Sequence, residues 1–444
     1  MRNPLGHIRD TRSLVGDWWD RLIGAVYSGS LADQTARYAA HNARRDYLFN
    51  SAGLALWGVL FPLLTIIATQ LVGAEAAGRF SMAFVIANLL QFIGMYGVRT
   101  YQVSDVDEMD SFGAYQIQRV ASCALMAAAC WLWCVVRGYS GEMLSICQGV
   151  FTFRIVDALA DVYEGRLQQY DKLWLAGVSQ ALRCGAATVG FTIALLFTGN
   201  LPIACLALAI AAVASLALVS VPLAYFETPR SRAWELVELR EIFVECLPAF
   251  AAQFLFSLIE TVPKFAMEGM LAYESQLYFN AIYFPAQGIA MSVGLVYRPQ
   301  LVRLATIWDD PRHRRRFDLV VLAVAGIAVL VTAGVLLFNA AVGVPLLRML
   351  YGLDFEGYRT QLYLMVIAGG MSAVADFLCQ IITVLRRQEV VTRSYLVTFG
   401  VSVVLSLALV PTLGFDGAVW AYVVSMATLF VLLVVQYVLL RMRR

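Results

Sequence analysis

Residues 247–267 read LPAFAAQFLFSLIETVPKFAM, an apolar run with Glu260 and Lys264 inside it. About 20 apolar residues cross the roughly 30 Å of bilayer hydrocarbon as a helix. A charged side chain at that depth costs about 2.5–3.5 kcal/mol, so a charge that persists there is a candidate for function. Glu260 and Lys264 are four residues apart, so they share a helix face and can neutralise each other. We predict that this face borders a polar cavity and does not face lipid.

Similar apolar runs fill the rest of the chain. Of its 444 residues, 60% are hydrophobic and 14% are charged, against about 45–50% and about 25% in soluble domains. Backbone polar groups in lipid must bond within the protein, so a spanning chain forms helices or a closed barrel. The runs are continuously apolar and do not alternate, which predicts an all-α integral membrane protein with about twelve transmembrane helices. We place them at 49–71, 78–98, 114–136, 143–163, 174–197, 201–225, 243–266, 276–302, 318–341, 360–384, 392–412 and 417–440.

The charges of the predicted loops alternate in sign along the chain. Loops after even-numbered helices are rich in Arg and Lys, and both chain ends are basic. Loops after odd-numbered helices carry mainly acids: Glu75, Glu268, Glu274 and Asp416. Because Lys and Arg of short loops concentrate on the cytoplasmic side, we predict that both termini are cytoplasmic. The longest outside loop, 341–358, is too short to fold as a separate domain.

The two halves of the chain resemble each other weakly at an offset of about 199 residues. Gly78-Arg-Phe-Ser81 then aligns with Leu277-Tyr-Phe-Asn280, and Arg99 aligns with Arg298. Parallel repeats are related by an axis along the membrane normal, with the substrate site between them. We predict two six-helix lobes around a central cavity, bounded as follows: a cytoplasmic amphipathic segment at 1–48, an N-lobe at 49–226, a cytoplasmic linker at 227–242 and a C-lobe at 243–444. The amphipathic segment would lie in the inner-leaflet interface or pack beneath the bundle.

Ionisable side chains inside the predicted helices are the candidates for function. Arg154, Asp157 and Asp161 recur at i, i+3 and i+7, on one face of the fourth helix, and Asp376 lies in the tenth. An arginine fork binds two phosphate oxygens at once, and a lysine adds a compact charge. A cavity with such groups would shelter a pyrophosphate, which cannot cross hydrocarbon alone. The acids could bind the proton or sodium ion that drives transport.

No motif points to catalysis or to a cofactor. The chain has no Walker loop, no H-E-x-x-H and no G-x-S-x-G. Its eight cysteines form no C-x-x-C and fall in apolar runs, as small buried hydrophobes do. Asp105-Val-Asp107-Glu108 could hold a metal and a sugar-phosphate, but its predicted cytoplasmic position favours a solvated acidic loop. We expect no enzyme activity, catalytic residue, metal site, cofactor or nucleic-acid partner.

Three short motifs add a family resemblance that covers about residues 49–440. The first joins Pro248 at the start of the seventh helix to a tyrosine-rich start of the eighth, which includes Tyr278 and ends in Arg298-Pro299. The second is Leu350-Tyr-Gly-Leu-Asp-Phe355, and the third is Gly414-Phe-Asp-Gly-Ala418. With the six-plus-six layout, these motifs resemble the Wzx-type polysaccharide flippases of the multidrug/oligosaccharidyl-lipid/polysaccharide (MOP) exporter superfamily, which has the fold of MATE and MurJ transporters.

The resemblance implies a flippase for polyprenyl-pyrophosphate-linked oligosaccharide. Such a protein works by alternating access in the bacterial inner membrane, from inner to outer leaflet, for cell-surface polysaccharide biosynthesis. A polysaccharide polymerase and other assembly proteins are the implied partners. By position, the resemblance assigns pyrophosphate contacts in the cavity to Arg99, Arg298 and Lys264, and we add Arg154 from the polar face of the fourth helix. We assign ion or proton coupling to Glu260, Asp157, Asp161 and Asp376.

Other readings stay open for these residues and for the protein. Arg99 and Arg298 lie near the predicted membrane edge, where snorkelling toward the interface is an equal explanation. A multidrug or cation antiporter of the same fold would favour an acid-dominated cavity with aromatic walls. A membrane glycan polymerase or glycosyltransferase would need a larger outside loop with catalytic groups.

Overall fold

The computed structural model describes residues 33–105, 110–229, 235–297, 314–384 and 387–442. These residues are almost entirely helical and form no strand. Twelve of their helical segments are long and apolar enough to cross a membrane, which confirms the predicted number. The helices are α1 (Asp33–Val72), α2 (Ala74–Met95), α3 (Val98–Ser104), α4 (Phe112–Arg137), α5 (Gly141–Gln169), α6 (Leu173–Thr198), α7 (Leu201–Ser215), α8 (Val221–Glu227), α9 (Leu236–Met267), α10 (Tyr273–Tyr297), α11 (Arg314–Phe338), α12 (Val344–Tyr351), α13 (Arg359–Val384), α14 (Gln388–Leu413) and α15 (Phe415–Met442).

Three of the spans are interrupted helices. Two αL residues, Tyr96 and Gly97, separate α2 from α3, and π-helical turns join α7 to α8 and α11 to α12. The second π turn corrects the predicted outside loop at 341–358, because the helix continues to Tyr351. Pro345 follows the π turn directly. Proline has no backbone N–H to donate, and here it lies where the helix changes its hydrogen-bonding pattern, so the helix continues through it.

The helices pack as two groups that meet along a shared interface. In the first half α1 packs on α6, and α5 packs on α2 and α7; in the second half α10 packs on α13, and α14 on α15. Between the halves, α2 packs against α10 and α9. The Asn280 Nδ2 donates to Ser81 Oγ over 2.8 Å, and these residues are 199 positions apart. Equivalent positions of two repeats meet only near the axis that relates them, so this contact supports an approximate two-fold arrangement.

The two ends of the bundle differ in their charges. We call the end with the turns at 73, 138–140, 199–200, 268–272, 352–355 and 414 the acidic end, and the opposite end the basic end. Residues 1–32 of the predicted amphipathic segment lie outside the described residues, and residues 33–48 form the first part of α1. At the basic end, α9 begins at Leu236 after a capping box of Glu235 and Glu238, inside the range predicted for the linker. A capping box satisfies two backbone donors of a helix start, which explains the early start of α9.

Gly177→Ala is expected to destabilise the protein, because the new Cβ would lie 2.4 Å from the Phe49 carbonyl oxygen where α1 crosses α6. Overpacking of this kind costs about 1–3 kcal/mol. Gly185→Ala in the same helix is the matched control, since nothing lies within 4 Å of its Cβ position. Thermal unfolding in detergent should show a lower midpoint for Gly177→Ala alone. Equal midpoints would contradict the close α1–α6 contact.

Candidate functional site

A network of ion pairs lies inside the N-lobe and is centred on one face of α5. Asp157, Asp161 and Glu164 recur at i, i+4 and i+7, so the three carboxylates project from the same side of the helix. Arginines from neighbouring helices meet them: Arg183 from α6 pairs with Asp157 and Glu164, and Arg119 from α4 pairs with Asp161. The side chains of all five are at most 9% exposed, so their charges are compensated within the protein.

Asp157 has the most complete set of partners in the network. Its Oδ1 accepts from Nε and Nη2 of Arg183 at 2.9 and 2.7 Å. Its Oδ2 accepts from Trp57 Nε1 and Gln91 Nε2, each over 2.8 Å, and from Arg154 Nη1 over 3.2 Å. Buried charges are tolerated when they are paired and hydrogen-bonded. This carboxylate therefore ties α1, α2, α5 and α6 together.

Arg154 is enclosed by aromatic rings. Its guanidinium carbon lies 4.7 Å from the ring centroid of Phe84, 5.3 Å from Trp57 and 5.4 Å from Phe153. These distances are within the range of cation–π attraction. The side chain is 3% exposed, so in this conformation its charge is held by Asp157 and the rings.

Arg99 lies at the rim of the network, immediately after the break between α2 and α3. Its Nη1 donates to Asp161 Oδ1 over 2.7 Å, and its Nε and Nη2 donate to Gln168 Oε1 over 3.1 and 3.0 Å. Its side chain is 28% exposed, more than any other charged group of the network. Arg119 pairs with the other oxygen of Asp161 over 2.9 Å. Asp161 is thus shared by a buried and an accessible arginine.

The network borders a cavity of about 320 Å³ between α1, α2, α5 and α6. Its lining includes Arg99, Asp161, Glu164, Gln168 and Arg183. Across the whole network, four arginines face three carboxylates, which is a formal excess of one positive charge: Arg99, Arg119, Arg154 and Arg183 against Asp157, Asp161 and Glu164. The cavity itself is lined by Arg99, Arg183 and the three carboxylates, so the positive excess comes from Arg119 and Arg154 behind the lining, and Arg99 is the exposed cation of the network.

Glu260 and Lys264, the ionisable pair predicted on α9, both contact one tyrosine of α10. The Tyr283 hydroxyl of α10 donates to Glu260 Oε1 over 3.0 Å, and the Tyr283 ring centroid lies 4.2 Å from Lys264 Nζ. Phe279 lies on the same ammonium, 5.7 Å away. Among the described residues, no ion pair within 4.0 Å joins Glu260 to Lys264. Tyr283 contacts both groups, because its hydroxyl reaches the acid while its ring faces the base.

Asp376 lies apart from that pair, on α13. Its Oδ2 accepts from the Tyr297 hydroxyl over 2.5 Å. Within the described part of the chain, no hydrogen bond or ion pair joins the N-lobe network to Glu260, Lys264 or Asp376. The structure therefore brings Arg99, Arg154, Asp157 and Asp161 together and places the C-lobe groups separately. Arg298 lies outside the described residues.

Several members of the network were not assigned to the predicted site. Arg119 and Arg183 lie inside predicted helices, and nothing in their spacing connects them to α5. Glu164 and Gln168 continue the face of Arg154, Asp157 and Asp161 at three- and four-residue steps, so the same periodicity would have found them. No local signal marks Trp57, because its partner is 100 positions away.

The acidic stretch after α3 serves a structural purpose where it is described. Asp105 Oδ2 accepts from the backbone N–H of Asp110 and from the Tyr115 hydroxyl, both over 3.1 Å. Burial raises the pKa of Asp110, against the lowering effect of its hydrogen bond from Tyr101. Residues 106–109 lie outside the described part. In the part of the chain that is described, no group of three or more His, Cys, Asp or Glu side chains could hold a metal ion.

The two lobes also contact each other at both ends of α9. At the acidic end, Arg137 and Tyr139 both bind the Glu268 carboxylate, and Trp133 packs on Phe265 with ring centroids 4.9 Å apart. Toward the basic end, Tyr96 stacks on Phe250 at 4.7 Å. These polar and aromatic contacts are the ones that relative movement of the lobes would break.

Comparison with solved structures identifies the fold. The chain is similar to a structure described as the inward-facing conformation of a multidrug resistance MATE family transporter of the MOP superfamily, with a TM-score of 0.64, 14% identity, and 87% of this chain and 94% of that chain covered. It is also similar to an outward-facing conformation of a transporter described in the same words (TM-score 0.61, 14% identity, 90% and 95% covered).

A third similar structure is a MOP superfamily transporter from Pyrococcus furiosus, described by a reverse polarity of its binding pocket that suggests a different function (TM-score 0.60, 16% identity, 90% and 95% covered). No protein-family model and no curated protein sequence matches the chain. The likeness establishes a MATE-like transporter fold, one that has been observed in both inward-facing and outward-facing conformations.

Proposed function

We propose that the protein is an alternating-access transporter that flips a polyprenyl-pyrophosphate-linked oligosaccharide from the inner to the outer leaflet, for cell-surface polysaccharide biosynthesis. The observation that carries this proposal is the excess positive charge of the N-lobe network, with Arg99 as its exposed member. A pyrophosphate must exchange its water for fixed cations to leave the interface, because an unpaired ion in an apolar medium is very costly.

Arg99 can change partners without leaving an unpaired charge behind. Its carboxylate partner Asp161 also accepts from Arg119, so Asp161 stays paired when Arg99 turns to a substrate. Gln168, the second partner of Arg99, is neutral and half-buried. The arginine fork would then bind phosphate oxygens in bidentate fashion. We propose that Lys264 and Arg298 supply further positive charge from the C-lobe, and that Arg154 supports Asp157 behind the cavity.

Orientation follows from the loop charges. The basic end would face the cytoplasm, with both termini there, in a bacterial inner membrane. The six-helix lobes would rock about the interface formed by α2, α9 and α10, breaking the contacts at one end of α9 and then at the other. A polysaccharide polymerase and other assembly proteins would receive the glycan on the outer side.

A multidrug or cation antiporter is the second candidate, and one observation favours it. In the C-lobe, Glu260 and Asp376 both lie against tyrosines, and carboxylates with aromatic walls suit organic cations. The similar solved structures include multidrug transporters. The positive excess of the whole N-lobe network, with Arg99 as its exposed member, favours the anionic substrate.

Arg99→Gln is expected to slow flipping by roughly 10–100-fold. A charge-assisted hydrogen bond contributes about 1.5–3 kcal/mol, and each 1.4 kcal/mol is a factor of ten. The assay uses proteoliposomes with a fluorescent polyprenyl-pyrophosphate sugar, and a membrane-impermeant quencher reports the leaflet that holds it. A parallel set measures efflux of a fluorescent organic cation.

Arg441→Gln is the matched control, because Arg441 is similarly exposed and also pairs with one aspartate, Asp318, away from the cavity. It should flip at the unmodified rate. Cation efflux without lipid exchange would favour the antiporter, and lipid exchange that is equal in Arg99→Gln and Arg441→Gln would refute the assigned role of Arg99.

A further inference from the structure

A second cavity opens at the acidic end of the C-lobe, away from the N-lobe network. It has a volume of about 530 Å³, within the roughly 300–1,000 Å³ typical of small-molecule sites. It lies where the starts of α10, α13 and α15 meet. Its lining combines aromatic rings, carboxylates and one amide: Tyr278, Asp354, Gly357, Tyr358, Gln361, Leu413, Phe415 and Asp416.

Three aromatic rings form one wall of this cavity. Tyr278 and Tyr358 stack with centroids 4.6 Å apart and planes 28° apart, and Phe415 meets Tyr358 at 4.7 Å and 62°. All three side chains are partly exposed. Phe355 packs edge-to-face against Tyr278, with ring centroids 5.0 Å apart. The rings hold one another in place, so they offer a rigid apolar surface next to water.

The carboxylates of the cavity are held in position by hydrogen bonds. Gln361 Nε2 donates to Asp416 Oδ1 over 2.6 Å, and the Glu356 backbone N–H donates to Asp354 Oδ1 over 3.1 Å. Asp354 and Asp416 are exposed. An ionised carboxylate only accepts hydrogen bonds, so the two residues present fixed acceptors beside the aromatic wall. The Gln361 Oε1 is buried and has no hydrogen-bond partner in the described residues.

The residues come from all three sequence motifs that the transport cavity does not use. Tyr278 belongs to the tyrosine-rich start of α10, Asp354 to the stretch at 350–355, and Phe415 with Asp416 to the stretch at 414–418. In the sequence these stretches are about 60–75 residues apart. In the structure they surround one cavity, and the turns that they form at the acidic end position its lining.

We propose that this cavity binds a neutral sugar unit of the exported glycan on the outer side of the membrane. The apolar face of a sugar ring would lie on the aromatic wall, and its hydroxyl groups would donate to Asp354 and Asp416. An anionic sugar is disfavoured, because the acids of the cavity and the neighbouring Glu274 would repel it. The glycan and outer-side parts of this inference rest on the proposed function.

An organic cation is the competing ligand, since acids and aromatic rings also suit a quaternary ammonium group. The geometry favours the sugar for two reasons. Tyr278 and Tyr358 stack on each other, so they form a wall and do not enclose a cation as a cage would. The two fixed carboxylates also belong to separate turns, which suits several hydroxyl donors better than one compact charge.

The test is direct binding to the full-length protein in lipid nanodiscs, because many detergents carry sugar headgroups. Saturation-transfer NMR would screen a panel of soluble neutral oligosaccharides of hexose, deoxyhexose and N-acetylhexosamine type, with tetraethylammonium alongside. At least one oligosaccharide is expected to bind. Asp416→Asn should weaken that binding about tenfold or more, as the loss of one charge-assisted hydrogen bond does. Tyr358→Ala removes a ring of the aromatic wall and should also weaken binding, whereas Tyr358→Phe keeps the ring and should retain binding.

Glu142→Gln is the control for a general loss of acidic charge, since Glu142 is an exposed acid at the acidic end of the other lobe. It should bind sugar normally, and so should Arg99→Gln, which separates this site from the transport cavity. Asp416→Asn covers the case in which Tyr358→Ala fails to fold. No binding across the panel, binding of tetraethylammonium instead of sugar, or sugar binding unchanged in both Asp416→Asn and Tyr358→Ala would overturn the proposal.

Discussion

Arg183→Met is expected to destabilise the protein by about 3–5 kcal/mol, the usual cost of removing one partner of a buried ion pair. Arg183 is 1% exposed and pairs with two acids, Asp157 over 2.7 Å and Glu164 over 2.5 Å. Methionine fills much of the same volume but leaves both carboxylates short of a cation. The loss should appear as a lower thermal midpoint in detergent and as poor yield of folded protein.

Two comparisons separate the charge effect from a general effect of the substitution. Arg348→Met changes an exposed arginine at the end of α12. It should leave the free energy of unfolding within about 0.5 kcal/mol of that of the unmodified protein. Glu164→Gln, added to Arg183→Met, removes the carboxylate that has lost its arginine and should recover part of the loss, whereas Asp157 keeps its pair with Arg154. If Arg183→Met and Arg348→Met unfold at the same temperature, the ion-pair network does not stabilise the N-lobe.

Glu260→Gln is expected to uncouple transport from a proton gradient. Asp157 and Asp161 each bind two arginines, so their charges are already paired within the protein. Glu260 accepts from a tyrosine hydroxyl instead, and among the described residues no arginine pairs with it. Among the acids proposed for coupling, Glu260 is therefore the strongest candidate, followed by Asp376.

The measurement compares leaflet exchange of the fluorescent lipid-linked sugar with and without an imposed pH gradient. Glu260→Gln should lose the gradient-driven enrichment by roughly 5–150-fold, which corresponds to a coupling free energy of about 1–3 kcal/mol. Exchange without a gradient should persist. Glu389→Gln, an exposed acid in the first turn of α14, is the control. If Glu260→Gln keeps the full gradient-driven enrichment, then another residue carries the coupling or sodium is the coupling ion.

The residues of the candidate site show how far sequence patterns reach. The face of α5 was predictable, because residues three and four apart on a helix are neighbours whatever the rest of the fold does. The arginines that complete this face come from α3, α4 and α6, and nothing local marks the direction in which they point. The contact of Tyr283 with both Glu260 and Lys264 was not predictable for the same reason, since this tyrosine comes from the next span.

The lining of the cavity at the acidic end was likewise not predictable from the separate stretches that form it. Each of its three motifs was visible in the sequence as a short stretch at or just before the start of a predicted helix. Their convergence depends on α10, α13 and α15 starting side by side. That arrangement follows from long-range helix packing, which no single turn encodes.

By itself, the sequence determined that this chain forms twelve apolar helices, with basic loops at one end and a polar face along the fourth span. These properties follow from the length of each apolar run and from the spacing of charges within one helix, both of which are local. Only the tertiary structure decided which charges meet, because partners such as Trp57 and Asp157, 100 positions apart, are joined by the packing of whole helices. That packing depends on the shape of every helix surface at once, and so it leaves no mark in the spacing of any one stretch.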